Sequence, residues 1–152
     1  VPALHRPPPF PLGGGAAPTI LDAVLRRLME LLLSPEAELV DAALAATLRI
    51  ISTSSHAAAH RLHLCLVPGA LSTLVALLSP PHHPVPQVCT QASNILKHLS
   101  ATEGRVREMV MAYEARLADI SMSKSPHAQQ VAAILRDLSS HQWYSQLRAR
   151  NA

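Results

Sequence analysis

The stretch PGALSTLVALLSPPHHPVPQVCTQASNILKHLS, residues 68–100, decides the fold class of this chain. Its first half carries Leu and Val at helical spacing before the break at Ser79-Pro80. Its second half places apolar residues at intervals of three or four, from Val88 to Leu99. Apolar residues that recur in this way line one face of an α-helix. The stretch therefore predicts two helices joined by a proline-rich turn.

The same arrangement of an apolar helix, a Ser-Pro break and a second apolar helix occurs three times. The breaks begin at Ser34, Ser79 and Ser125, so consecutive breaks lie 45 and 46 residues apart. A period in the forties with two or three helices per copy is typical of HEAT- and armadillo-type α-solenoids. A helical hairpin of this size buries its apolar face only by stacking on its neighbours. A non-repeating bundle of four to six helices is the alternative.

The composition predicts an all-α fold. Leu and Ala occur 24 times each, whereas aromatic residues make up 3% of the chain. Leu supplies volume and Ala allows helices to approach closely, so a helical core needs few aromatic side chains. The shortage of aromatic and β-branched residues argues against a β-sandwich or barrel. No apolar run is long enough to predict a membrane-spanning helix.

Three regions are predicted along the chain. Residues 1–18 should form a flexible tail, because their prolines and Gly13-Gly14-Gly15 cannot sustain a helix. At the other end, residues 141–152 are expected to form a C-terminal cap or tail. The region between them, residues 19–140, holds the helical repeats, with bounds at about 19–55, 56–101 and 102–140.

The second copy resembles an armadillo repeat. In that family, a short helix ends at a Gly, which is followed by a helix of pattern Ile/Leu-x-x-Leu-Val-x-Leu-Leu, a Ser-containing turn and a long helix. Here Gly69 precedes LSTLVALL, residues 71–78, and Ser79 follows. The third copy has Tyr113 near the Gly position, which would suit a capping repeat. The resemblance implies a right-handed α-solenoid of about three armadillo-like repeats.

What the resemblance implies for function is binding of another protein or peptide, with the third helix of each copy lining a concave groove. The candidate groove residues are polar residues on the third helices of copies two and three: Gln91, Asn94, Lys97, His98, Arg136 and Asp137. Importin-α-like members hold a peptide with a Trp and an Asn four residues later. Those positions here hold neither residue type: Ala46, Asn94 and Ala133, then Ile50, His98 and Asp137. Nuclear-localisation peptides are therefore not expected to bind by that mechanism, and a merely solvated helix face is the alternative to a groove.

Histidine and cysteine are the residues to consider for hidden chemistry. His60 and His63 lie three residues apart on one predicted helical face, but Cys65 points to a different side. A zinc site needs four tetrahedral ligands, so this group is too small. Cys65 and Cys89 both fall at apolar positions and are expected to be buried, reduced thiols. We therefore predict no catalytic residue, no metal and no cofactor.

The sequence leads us to expect a non-catalytic protein–protein interaction module, an armadillo-like scaffold or adaptor fragment of a larger cytoplasmic or nuclear protein. Docking onto neighbouring repeats or a neighbouring domain is a further expected contact, since three repeats are near the minimum for stability. Two alternatives stay open: a regulatory or targeting domain of a larger enzyme such as a kinase or ligase, and a helical bundle for dimerisation. Nucleic-acid binding through Arg49, Arg61 and Lys97 is weaker still, because three charges are far from a basic stripe.

Overall fold

A computed structural model describes the backbone of residues 19–151 and the side chains of residues 19–140. The predicted tail, residues 1–18, lies outside the described residues. The described part is all-helical and contains no strand. Within it, no single helix has the length and apolarity to cross a membrane. Only the two helices Ala57–Leu66 and Ala70–Leu78 together have them, and that pair is bent by 88°. The eight helices of this part are α1 (Ile20–Leu31), α2 (Ala37–Thr53), α3 (Ala57–Leu66), α4 (Ala70–Leu78), α5 (Pro86–Ser100), α6 (Arg105–Met111), α7 (Glu114–Ser121) and α8 (Ala128–Asn151).

The order of helix lengths recurs along the chain, which gives the fold a helical-repeat-like character. We call α1–α2 unit one, α3–α5 unit two and α6–α8 unit three. Units two and three each contain two short helices and then a long one, while unit one contains the equivalents of the last two. The long helices pack side by side, α2 on α5 and α5 on α8, and α3 packs on both α1 and α6. The predicted all-α class is thus confirmed.

Local signals place the helix ends. Thr19 and Asp22 form a capping box at the start of α1: the Asp22 amide donates to Thr19 Oγ1 at 3.2 Å, and the Thr19 amide donates to Asp22 Oδ2 at 3.0 Å. Gly69 precedes α4 with a φ of +78°, a left-handed conformation that glycine adopts without steric cost. Gly104 precedes α6 with a φ of +85°. These residues set the directions in which the short helices leave the turns.

The core is one apolar cluster to which every helix contributes. Its centre is α5, which packs against α2, α4, α6 and α8. Leu96 and Leu99 on this helix are fully buried, as are Leu44 on α2 and Ile134 on α8. Each such side chain stabilises the fold by about 1.5–3 kcal/mol relative to an exposed one. Leu therefore provides the contacts between the long helices, as the composition predicts.

The C-terminal helix is longer than the sequence analysis predicts. The third repeat is predicted to end at about residue 140, but α8 continues as a backbone helix to Asn151. The reason is that no Pro or Gly occurs between His127 and the end of the chain. Two adjacent serines lower helix propensity only by tenths of a kcal/mol each, which is too little to end a well-packed helix. The predicted cap or tail thus begins as a continuation of α8.

Candidate functional site

The candidate groove residues lie on α5 and α8, and they differ in how far they are exposed. Asn94 and Lys97 are exposed on α5, and His98 beside them is half-buried. On α8, Arg136 is exposed and Asp137 is half-buried. These five side chains are thus at least partly accessible on the long helices of units two and three.

Gln91 occupies a different environment from the other candidates. Its side chain is 8% exposed and lies between α5 and α2. The Gln91 amide nitrogen Nε2 donates to the main-chain oxygen of Asp41 at 3.2 Å and also to the Asp41 carboxylate. A buried amide with both contacts made to a neighbouring helix is held in place, because breaking them would leave polar groups unsatisfied. The structure therefore places Gln91 in a contact between units rather than on the exposed side.

Polar contacts at two levels show that α2 and α5 run parallel. Near their beginnings, Gln91 bonds to Asp41. Near their ends, the guanidinium of Arg61 donates from Nε to the Ile51 carbonyl oxygen at 2.8 Å and from Nη1 to Thr102 Oγ1 at 3.1 Å. One side chain thus reaches the C-terminal ends of both helices. Residues in matching positions of α2 and α5 consequently lie at similar heights on the surface.

The start of α8 lies beside the start of α5. The rings of His82 and His127, each in the turn before one of these helices, pack edge to face with centroids 6.0 Å apart. Since α5 and α8 also pack against each other, their N-terminal ends are at the same end of the molecule. We call the exposed side chains of α2, α5 and α8 together the long-helix face.

Each of the three long helices carries one exposed basic residue at a matching sequence position. Arg49, Lys97 and Arg136 occupy the same register position on the three helices, three residues after Ala46, Asn94 and Ala133 respectively. All three basic side chains are exposed. Among residues 19–140, none of them lies within ion-pair distance of a carboxylate. We call Arg49, Lys97 and Arg136 the basic row.

The electrostatics beside the row are consistent with this excess of positive charge. Burial lowers the pKa of His98 below its ordinary value, and the nearby charges of Arg61 and Lys97 lower it further. No acidic residue occurs in the sequence between Asp41 and Glu103 to offset them. The matching positions of these residues are not evident when Arg49 and Lys97 are considered together with Arg61 as a single group of basic residues. A position-by-position alignment of the three long helices would have revealed them.

The two cysteine thiols of the described part lie in the core rather than on the long-helix face. Among the side chains of residues 19–140, no three His, Cys, Asp or Glu residues are arranged to hold a metal ion. Cys65 and Cys89 are buried free thiols, as predicted. Burial raises the pKa of Cys65 to about 11 and also raises that of Cys89. Because the thiolate is the nucleophile, burial and the raised pKa values lower the reactivity of both groups.

The chain was compared with family models, curated proteins and solved structures. No family model, no curated protein and no solved structure matches this chain. The resemblance to the armadillo repeat therefore rests on the residues of the second copy and on the recurring order of helices.

Proposed function

We propose that this chain is an armadillo-like α-solenoid that acts as a non-catalytic protein-interaction module through its long-helix face. The observation that carries the proposal is the side-by-side packing of α2, α5 and α8, which places long helices with exposed polar side chains from three units next to one another. Stacked helical repeats offer extended surfaces of this kind, and their rigid helices hold the contact residues in fixed positions.

The exposed polar residues of α5 are the centre of the proposed surface. Asn94 offers an amide that can both donate and accept, and His98 offers a ring one helical turn away. Both sit on a helix whose opposite side is fully buried, with Leu96 and Leu99 in the core. A partner that contacts these side chains would therefore meet a preorganised site, which lowers the entropic cost of binding.

The test compares two double variants that introduce the same charge on different faces. Asn94→Ala/His98→Glu alters the long-helix face, whereas Ala76→Glu/Met122→Ala alters exposed positions at α4 and just after α7. Affinity capture with each variant and the wild type, followed by quantitative mass spectrometry, should show partners lost only with the first. Circular dichroism checks that both variants remain folded. Identical partners for all three proteins would contradict the proposal.

A second candidate function is dimerisation, which is favoured by apolar exposure on unit one. Ile20 and Leu33 are 85% and 75% exposed at the two ends of α1, and Val24 between them is 41% exposed. Near Leu33, a cavity of about 180 Å³ separates α1 from the turn between α3 and α4. Light scattering distinguishes the two functions: a monomer agrees with the interaction module, whereas a tight dimer that Ile20→Lys/Leu33→Lys dissociates would replace it.

A further inference from the structure

We propose that Ser79 is a phosphorylation site for a proline-directed protein kinase, and that its phosphate pairs with Arg116 and joins unit two to unit three. Ser79 lies directly after α4 and Arg116 lies on α7, and these two helices pack against each other. This site is independent of the proposed function, because it lies in the turn after α4 rather than on the long-helix face.

The modification transfers one phosphoryl group from ATP to the Ser79 hydroxyl. A bond forms between Ser79 Oγ and the γ-phosphorus, and the bond between that phosphorus and the β,γ-bridging oxygen breaks. ADP leaves with the electron pair of the broken bond, and a carboxylate of the kinase accepts the hydroxyl proton. The product carries about −1.5 to −2 units of charge at neutral pH and three strong acceptor oxygens.

The turn after α4 has the backbone shape of a kinase substrate. Ser79 has φ −75° and ψ 143°, which is close to the polyproline II conformation, and Pro80 and Pro81 after it are exposed. A kinase of this class binds an extended stretch with proline directly after the serine. The half-buried Ser79 hydroxyl donates to the Val75 carbonyl oxygen at 2.9 Å, so the reaction requires the release of this one hydrogen bond.

Ser79 differs from the other two serines that precede a proline. Ser34 Oγ accepts a hydrogen bond from the Glu36 amide at 3.1 Å, and Ser125 Oγ accepts one from the His127 amide at 3.2 Å. Each of those hydroxyls supports the turn that leads into the next helix. Among the side chains of residues 19–140, only the Ser79 hydroxyl of these three has a basic side chain of another unit as its hydrogen-bond partner.

Arg116 carries a charge that its own helix does not explain. Its Nη2 lies 3.5 Å from Ser79 Oγ, and the residue belongs to the first turn of α7, where the helix dipole disfavours a cation. No carboxylate described within residues 19–140 lies at ion-pair distance from it. The planar guanidinium fork matches the geometry of a phosphate, so the added oxygens would meet donors already placed beside them.

The end of α4 opposes a phosphate, which makes Arg116 decisive. Ser79 is the C-cap of α4, and a negative charge at the C-terminal end of a helix is unfavourable. Asp119, exposed one turn after Arg116, is a second source of repulsion. A two-pronged arginine–phosphate pair is stronger than either of these exposed effects. The phosphate should therefore tie α4 to α7 when Arg116 is present and loosen the end of α4 when it is absent.

The first experiment tests whether the site is used. The whole chain is incubated with ATP and each of several purified proline-directed kinases, and mass spectrometry locates the phosphate. Ser79 should be modified, and Pro80→Ala should slow its modification by about tenfold or more. Phosphate on Ser34 or Ser125 without any on Ser79, or no modification by any of the kinases, would overturn the site.

The second experiment tests the pairing without a kinase. The whole chain is made with phosphoserine incorporated at position 79 during translation, and thermal unfolding is followed by circular dichroism. The phosphate should raise the melting temperature by about 2–4 °C in the wild-type background. Amide hydrogen exchange at the start of α7 should also become slower.

The matched backgrounds are two arginine variants of unit three. In Arg116→Met, which keeps most of the aliphatic stem, the phosphate should give no rise in melting temperature. In Arg105→Met, which alters an exposed arginine at the start of α6, the rise should persist. Equal shifts in all three backgrounds, or no rise in the wild-type background, would overturn the pairing.

The outcome is separable from that of the proposed function. The capture variants leave Ser79 and Arg116 in place, and the arginine variants leave Asn94 and His98 in place. Loss of partners in Asn94→Ala/His98→Glu therefore says nothing about the phosphate, and a failed thermal shift says nothing about the long-helix face.

Discussion

The joint between units one and two and the joint between units two and three share their apolar packing but differ in their polar contacts. In the first joint, α1 and α3 are linked by His63 Nδ1 and Asp22 Oδ1 at 2.9 Å, and α2 and α5 by Gln91 and Asp41. His60 and Arg61 of α3 also contact carbonyl oxygens at the end of α2. Polar contacts thus connect three pairs of helices across this joint.

The second joint has fewer such contacts in the described part of the chain. Arg107 holds the end of α5, and Arg116 of α7 lies 3.5 Å from the Ser79 hydroxyl after α4. Among the side chains of residues 19–140, Ser93 on α5 and His127 before α8 each bury a polar atom that finds no hydrogen-bond partner. The difference teaches that the apolar pattern suffices to stack the units, whereas directional contacts are more numerous at the first joint than at the second.

Removing a core side chain that both joints share should have the largest effect. Leu96 is fully buried on α5, so Leu96→Ala leaves a cavity between the units and should lower the free energy of unfolding by about 2–5 kcal/mol. Leu39→Ala, at a 42% exposed position of α2, should cost about 0.5 kcal/mol or less. Urea unfolding followed by circular dichroism measures both. Equal losses would mean that the joints do not depend on α5 as described.

The two glycines with positive φ, Gly69 in unit two and Gly104 at the second joint, differ in the backbone strain that a substitution would cause. Gly69 lies in the left-handed region, whereas Gly104, with φ +85° and ψ −138°, lies near a region open essentially only to glycine. A Cβ on Gly104 would meet nothing within 4 Å, so space does not enter. We expect losses of about 1–2 kcal/mol for Gly69→Ala and up to about 3 kcal/mol for Gly104→Ala. Thermal unfolding of the two variants gives the order, and the reverse order would contradict the second joint's backbone geometry.

The arginines at the helix ends test the polar contacts of each joint directly. Arg61 makes two partly buried bonds that reach both α2 and Thr102, whereas one of the two bonds of Arg107 is exposed. Replacement by Met keeps most of the aliphatic stem and removes the donors. Arg61→Met should cost about 1–2 kcal/mol and Arg107→Met about 1 kcal/mol or less. Hydrogen exchange at the end of α2 should rise only in Arg61→Met; unchanged exchange there would count against the first joint's bonds.

The smallest expected effect is a pH dependence at His98, beside the first joint. Burial and the charges of Arg61 and Lys97 hold its folded pKa below the ordinary value of 6.5. As the pH falls, the unfolded chain takes up this proton first, so the free energy of unfolding falls below about pH 6.5 and levels off once folded His98 is protonated. His98→Gln should show a shallower acid loss than the wild type in urea titrations. If the free energy of unfolding depends on pH identically in both proteins from about pH 8 to about pH 5, His98 does not contribute.

Local signals made much of the fold predictable from the sequence. The capping box at Thr19, the left-handed Gly69 and the Ser-Pro breaks each depend on a few neighbouring residues, so the chain itself carries the information. The end of α8 was not predictable in the same way, because Ser139 follows an apolar run without any residue that terminates a helix. The helix continues because the sequence beyond Ser139 holds no Pro or Gly that would end it.

The candidate site was less predictable because its decisive contacts join distant residues. Gln91 has the polarity of a surface residue, and only the proximity of Asp41, fifty positions earlier, buries it. Arg61 and Arg107 both hold helix ends, but at different spacings from their acceptors, so no period reveals them. Asn94 and Lys97, by contrast, were predictable as exposed because they fall opposite the apolar positions of their own helix.

The two buried thiols can report how often the helices around them separate. Cys65 lies on α3, on the side of the first joint, and Cys89 lies near the start of α5, where its thiol donates to the His83 carbonyl oxygen at 3.4 Å. An alkylating reagent can reach either group only when the surrounding helices separate and the thiol ionises in water. The labelling rates of the two cysteines therefore record how often each part of the array opens, with no added probe. A joint with many directional contacts would label more slowly than one with few.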